Sequence, residues 1–162
     1  MARMAAAVRD ILVRNGEPAD AGAIAALVNQ AFSVERFFVN GDRTDEEEVR
    51  RLMARSGFLC AEMDGELVGC VFLEVRAGRG YFGMLSVSPT RQKAGIGRLL
   101  VERCEAFFRN AGCAEADIKI VHLRSELPPY YRALGYQESG TAPFVDDSLT
   151  QEAHFIVMSK VL

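Results

Sequence analysis

Val87-Ser88-Pro89-Thr90-Arg91-Gln92-Lys93-Ala94-Gly95-Ile96-Gly97-Arg98 is where the hydrophobic period of this chain changes. Upstream, Tyr81 to Val87 reads as a strand, and Pro89 ends it because proline brings no ladder donor. Downstream, Ile96, Leu99, Leu100, Cys104, Phe107 and Phe108 recur at helical spacing, and Asn110-Ala111-Gly112 supplies the stop. Ala116 to His122, with Ile118, Ile120 and Val121, then reads as a second strand. Strand, helix and strand in this order form a βαβ crossover, which predicts two parallel neighbours in one sheet.

Towards the N-terminus the pattern is antiparallel. Gly57 to Met63 and Leu67 to Val75 read as strands joined by the hairpin turn Asp64-Gly65. Ala77-Gly78-Arg79-Gly80 turns the chain again into Tyr81–Val87, giving a three-stranded meander. Before it come a short strand (Ile11 to Arg14) and a helix opened by Gly16-Glu17-Pro18 and carried by Ile24, Leu27, Val28, Ala31 and Phe32. After a loop from Ser33 to Arg43, Thr44-Asp45-Glu46-Glu47 fits a capping box, with Thr44 as the cap of a helix running to about Ser56. The acidic run therefore favours a helix start rather than a metal. Beyond the crossover lie a short helix (about Leu127 to Leu134) and two final strands, Tyr136 to Ser139 and His154 to Val161. The sum is an α/β fold: a mixed, mostly antiparallel sheet with helices on both faces.

The 162 residues are enough for one full core, with 49% apolar and 25% charged residues. No repeat or linker interrupts them, so one domain over residues 10–162 is expected, after a flexible tail from Met1 to Arg9. That tail is too short in apolar residues for a secretory signal, and no stretch approaches the roughly 18 apolar residues of a membrane span. The expected setting is cytoplasmic, with no membrane partner. A net charge of −3 argues against nucleic acid as a partner. Cys60, Cys70, Cys104 and Cys113 form no C-x-x-C pair and the two histidines lack ligand spacing, so reduced buried thiols and no metal are expected.

The loop itself suits an anion. Amides at a helix start are unpaired and the helix dipole is positive there. Gly95 and Gly97 let a ligand approach, and Arg91, Lys93 and Arg98 add charge, a combination that fits a pyrophosphate. A P-loop needs G-x-x-x-x-G-K-[ST], which is absent, and the Rossmann spacing fails at Leu100. A plain glycine-bearing helix start is the remaining alternative.

Gln92-x-x-Gly95-x-Gly97 after a strand ending in Val87-Ser88-Pro89 resembles the acetyl-coenzyme A motif, [RQ]-x-x-G-x-[GA], of the GCN5-related N-acetyltransferases (GNAT). Tyr130-Tyr131-Arg132-Ala133-Leu134-Gly135-Tyr136 is similar to that family's F-Y-x-x-L-G-F segment. The resemblance spans about Ile11 to Leu162. It implies a sheet that splays between the fourth and fifth strands and holds acetyl-CoA, as cosubstrate, in the gap. It implies that the backbone of Gln92, Lys93, Ala94, Gly95, Ile96, Gly97 and Arg98 holds the pyrophosphate. It also implies that Leu85, Ser86 and Val87 pair with the pantetheine arm, and that Tyr131 protonates the leaving thiolate. Homodimers, frequent in the family, are a further expectation.

The chain departs from the pattern at two places. The strand Tyr81–Val87 has no carboxylate where many members carry a catalytic glutamate, and Arg124 stands where an asparagine is common. Glu74 and His122 are the candidate replacement bases, with His154 behind them. Arg124 pairs with Glu126 or positions an acceptor. Phe37 and Phe38 are candidates for an apolar acceptor wall, and Arg43 for a carboxylate ligand. The expected activity is N-acetyl transfer to the primary amine of a small molecule in a ternary complex. The alternatives are a protein or peptide acetyltransferase and a non-catalytic acetyl-CoA-binding module.

Overall fold

The chain runs through β1 (Leu12–Asn15), α1 (Ala21–Ala31), α2 (Glu46–Arg55), β2 (Gly57–Met63), β3 (Glu66–Arg76), β4 (Arg79–Val87), α3 (Ile96–Asn110), β5 (Glu115–Val121), α4 (Leu127–Ala133), β6 (Gln137–Pro143) and β7 (His154–Val161), in a computed structural model that describes residues 10–162. The tail expected over residues 1–9 lies outside the described residues. Short 3-10 turns flank α1, at Pro18–Asp20 and Phe32–Glu35. The helix expected to begin at Thr44 is capped one residue later: Asp45 accepts the Glu48 amide at 2.8 Å, while the Thr44 hydroxyl donates to the Glu48 carboxylate at 2.6 Å.

The seven strands form one sheet in the order β1-β2-β3-β4-β5-β7-β6. All neighbours are antiparallel except β4 and β5, which are parallel. Both meander turns put two residues at positive φ, Asp64-Gly65 and Ala77-Gly78, as the twist of a two-residue hairpin demands. The second turn is thus tighter than the four-residue turn expected, and Arg79-Gly80 already belongs to β4. Strand β6 runs to Pro143, beyond the Ser139 end expected, because β7 offers it a full-length partner.

Two cores flank the sheet. Helix α3 covers one face with Ile96, Leu100, Cys104 and Phe108, over Val71, Phe82, Ile118 and Met158. Helices α1 and α2 cover the other with Ile24, Val28 and Val49, over Phe58, Cys70 and Phe72. All four cysteines are free and buried, and burial raises the Cys60 thiol to about 11, so it stays protonated. Buried Glu105 of α3 accepts the Tyr136 hydroxyl at 2.7 Å and the Lys160 ammonium at 3.1 Å, which ties α3 to the start of β6 and to β7. No described helix is long and apolar enough to cross a membrane, and no group of three metal-ligating side chains gathers among the described residues.

The parallel pairing of β4 and β5 stops after Gly80–Ala116 and Tyr81–Asp117. Strand β3 holds β4 and β7 holds β5 along their lengths, so the two diverge and leave a wedge in the sheet. The loop between β6 and β7 crosses over to the loop after α1. Asn40 donates to the Ser148 carbonyl at 2.8 Å and Thr150 to that of Phe38 at 2.9 Å, around a bridge of Val39 with Leu149. These two loops roof the wedge.

Candidate active site

The wedge opens into a cleft of about 440 Å³. Gly83, Met84 and Leu85 form one side and Ile118, Ile120 and Val121 the other. Phe32, Val39 and Arg43 come from the loop after α1, and Pro143 to Asp146 from the β6–β7 loop. Apolar and charged side chains share its lining, with Arg43, Lys119 and Arg124 among the latter.

Strand β4 bends where it enters the cleft. Phe72 pairs with Gly83 and Cys70 with Ser86, so two residues of β4, Met84 and Leu85, face one of β3. Met84 takes φ +53°, and the buried Ser86 hydroxyl donates to its carbonyl at 3.0 Å. This bulge re-aims the backbone of an edge that has no sheet partner on the cleft side, so amides are available to a bound ligand.

Past β4, the Arg91 amide closes a turn onto the Ser88 carbonyl at 2.9 Å. Lys93 and Gly95 then adopt left-handed φ of 68° and 79°, and Gly95 caps α3 without any side-chain partner. Among the described residues no protein acceptor meets the amides of residues 92–98. Alternating left-handed residues ahead of a helix start make a concave nest of N–H groups that attracts an anion. Ile96 is buried and brings only its backbone to the loop, and Arg98 is drawn to Glu102 at 3.2 Å. Gly97 has a reason the sequence alone hides: a Cβ there would lie 2.8 Å from the Tyr130 hydroxyl. Its bare Cα makes room for α4.

Tyr131 projects from α4 into the cleft between the rings of Phe82 and Tyr136, at 6.2 and 6.1 Å. Burial pushes its phenol well above the usual value, so it is a proton donor across the ordinary pH range. No hydrogen-bond partner meets its hydroxyl among the described residues. Across the cleft stands Glu35, which sequence reasoning missed. The residue is buried, its carboxylate accepts from Arg124 at 2.7 Å, and Arg124 also donates to Glu126 at 3.1 Å. Burial raises the Glu35 carboxyl, against the pull of Arg124 and Arg43. A carboxylate held near a cation yet raised by desolvation can exchange a proton at moderate pH. Ile24, Val28, Ala31 and Glu35 share one helical stripe, and that spacing was the available signal that Glu35 points inward.

The other expected residues divide. Arg43 and Arg124 both line the cleft. Glu74 is buried but outside it, held by Ser56 at 3.0 Å, by Arg55 at 3.4 Å and by Arg76. His122 also lies outside, stacked on His154 with ring centres 4.0 Å apart, and its Nδ1 accepts the His154 amide at 3.1 Å. The Phe38 ring is fully buried and Phe37 faces solvent; neither lines the cleft, and their carbonyls anchor the β6–β7 loop instead. Phe32, Phe144 and Phe155 supply the aromatic walls.

Comparison with known proteins agrees with this geometry. Residues 54–138 match the family model described as an acetyltransferase (GNAT) domain. The chain is 33% identical over 144 residues to aminoglycoside N(6')-acetyltransferase type 1 of Stenotrophomonas maltophilia, covering 78% of this chain and 86% of that one. Among solved structures it superposes on a ribosomal-protein-alanine N-acetyltransferase from Brucella melitensis with a TM-score of 0.78, at 22% identity over 93% of this chain and 99% of that one. It also superposes on yncA from Salmonella typhimurium, solved with its cofactor acetyl-CoA, with a TM-score of 0.72 at 21% identity over 94% of each.

Proposed function

This chain belongs to the GNAT family of acetyltransferases, and we propose that it moves the acetyl group of acetyl-CoA onto the primary amine of a small molecule. One observation carries the proposal: the partnerless edge of β4 leads, through the turn at Ser88–Arg91, to the free amides of residues 92–98, beside a cleft that holds both a proton donor and a carboxylate. An extended, hydrogen-bonding arm ending in a pyrophosphate fits such a run of donors. The fit requires the left-handed Lys93 and Gly95, since their backbone turns the amides inwards.

Acetyl-CoA supplies an activated thioester carbonyl. The amides at the β4 bulge stabilise the charge that gathers on its oxygen during attack. Glu35 takes the proton of the incoming amine, directly or through one water, and Arg124 holds that carboxylate in place. The new C–N bond forms as the C–S bond breaks, and Tyr131 gives its proton to the departing sulfur. Glu74 and His122, both engaged outside the cleft, have no part in this scheme.

Thiol release from acetyl-CoA over a panel of amino acids, simple amines, polyamines, aminoglycosides and short peptides tests the proposal. Release with a small-molecule amine, cut at least a hundredfold by Glu35→Gln, is the expected result. Release with peptides alone would replace the small-molecule reading by a protein acceptor. No release above hydrolysis would refute it.

A further inference from the structure

The charges of the cleft are unevenly matched. Its three carboxylates are already engaged. Glu35 is paired with Arg124 at 2.7 Å and Asp42 with Arg36 at 3.1 Å. Asp146 accepts both the amide and the hydroxyl of Ser148, at 2.8 and 2.6 Å. Of its three cations, Arg124 is shared between Glu35 and Glu126. Arg43 and Lys119 have no carboxylate partner among the described residues. Each lies against an aromatic ring instead, Arg43 at 5.7 Å from the centre of Phe32 and Lys119 at 6.0 Å from that of Phe155. Phe155 in turn stacks on Phe144 at 4.5 Å, so an apolar wall adjoins both cations.

Resting on the acetyl-transfer reading above, we propose that the acceptor is a free amino acid with an apolar side chain, its carboxylate bound by Arg43 with Lys119 beside it. The fork of the guanidinium matches a carboxylate in two hydrogen bonds, and a ring beneath it holds it in place. The side chain lies on Phe32, Phe144 and Phe155, and the amine turns towards Glu35. Arg43 is well placed for this, since its charge is felt at Glu35, at Asp146 and at Tyr81. A polycation would meet the charges of Arg43 and Lys119, which form no ion pair among the described residues, against a single lining carboxylate likewise outside any ion pair, Asp146, held only by Ser148, an arrangement that disfavours it. The acetyl-transfer chemistry is unchanged: the amine loses a proton to Glu35 and gains the acetyl group, and the carboxylate takes no part.

The test is the ratio of kcat/KM for matched acceptors: L-phenylalanine against L-phenylalaninamide and 2-phenylethylamine, with kanamycin and spermidine as polycations. The free acid is expected to lead its amide by at least about tenfold, because a site built for the carboxylate is left unpaired without it. Arg43→Gln should bring that ratio close to one, and Lys119→Gln should lower it in part. A faster amide, a faster polycation, or an Arg43→Gln variant that keeps the full ratio overturns the proposal while leaving acetyl transfer intact. Absence of thiol release with every acceptor overturns the underlying activity and this proposal with it.

Discussion

Replacing Arg124 by methionine breaks the ion pair at the centre of the cleft and leaves an apolar stem of similar length. Arg124 and Glu35 are 2.7 Å apart, with side chains only 13% and 11% exposed. Burial raises the Glu35 carboxyl above its ordinary 4.5, and Arg124 is the main force holding it down. A hydrogen bond to a charged group contributes about 1.5–3 kcal/mol. Losing it lifts the Glu35 carboxyl further, since burial is then opposed only by Arg43. The sign of the stability effect follows from proton counting. Between the unfolded and the raised folded value, the folded variant binds more protons than the unfolded chain, so its stability falls as pH rises through that window. Urea unfolding should therefore show a deficit of about 1.5–3 kcal/mol at pH 8 that shrinks towards pH 4, where Glu35 is protonated in both states. The acid limb of kcat should move to higher pH with it, and adding Glu35→Gln should abolish both effects. A deficit that is flat with pH, together with an unmoved acid limb, would refute both the pairing and the role of Glu35 as base.

Tyr131→Phe should lower kcat by about a hundredfold while the affinity for acetyl-CoA, measured by calorimetry, stays within about twofold, because only the leaving sulfur needs the hydroxyl; equal losses in both would make Tyr131 a binding residue. Gly80→Ala should cost about 1–3 kcal/mol and several degrees of melting temperature, since its Cβ would meet the buried Phe108 ring at 2.3 Å beside the last β4–β5 pair. Gly97→Ala should weaken acetyl-CoA binding by pushing on the Tyr130 hydroxyl 2.8 Å away, and Tyr130→Phe in the same chain should restore it. Failure of that rescue would show that residue 97 must be glycine for the ligand's sake.

The fold was legible because its signals are local. The change of period at Pro89, the two glycine turns and the apolar stripe of α3 each follow from side-chain spacing within a few residues. Together they dictate a meander followed by a crossover. The loop from Gln92 to Arg98 was legible as a turn into a helix start for a related reason: glycine spacing reports backbone. The bulge at Met84 was not legible, since nothing in Tyr-Phe-Gly-Met-Leu-Ser-Val marks a methionine for positive φ. It exists because Val71 of β3 faces two residues of β4, a matter of pairing between strands. The acceptor wall departs from the expected one within one short segment. Phe37 and Phe38 look like the apolar pair, but the turn over Phe32–Glu35 rotates Phe32 and Glu35 towards the cleft and leaves Phe38 in the core.

That rotation bears on how the two halves of the site are built. The groups proposed for the acetyl donor belong to β4, the 92–98 loop and α4, elements fixed by the sheet and by the core around Phe82 and Ile96. Most groups proposed for the acceptor belong to residues 32–43 and to the β6–β7 loop, which hold each other through Val39, Asn40, Ser148 and Leu149, with Lys119 of β5 and Phe155 of β7 beside them. The missing carboxylate of β4 is then no defect. With the base proposed at Glu35 and the carboxylate ligand proposed at Arg43, one segment, residues 32–43, sets both the proton transfer and a main acceptor contact while the donor half stays unchanged. Arg124 is the link between the halves, reaching from the end of β5 to Glu35. Substitutions in residues 32–43 should consequently alter acceptor choice and the pH dependence together and leave acetyl-CoA affinity alone, whereas those in residues 92–98 should do the reverse.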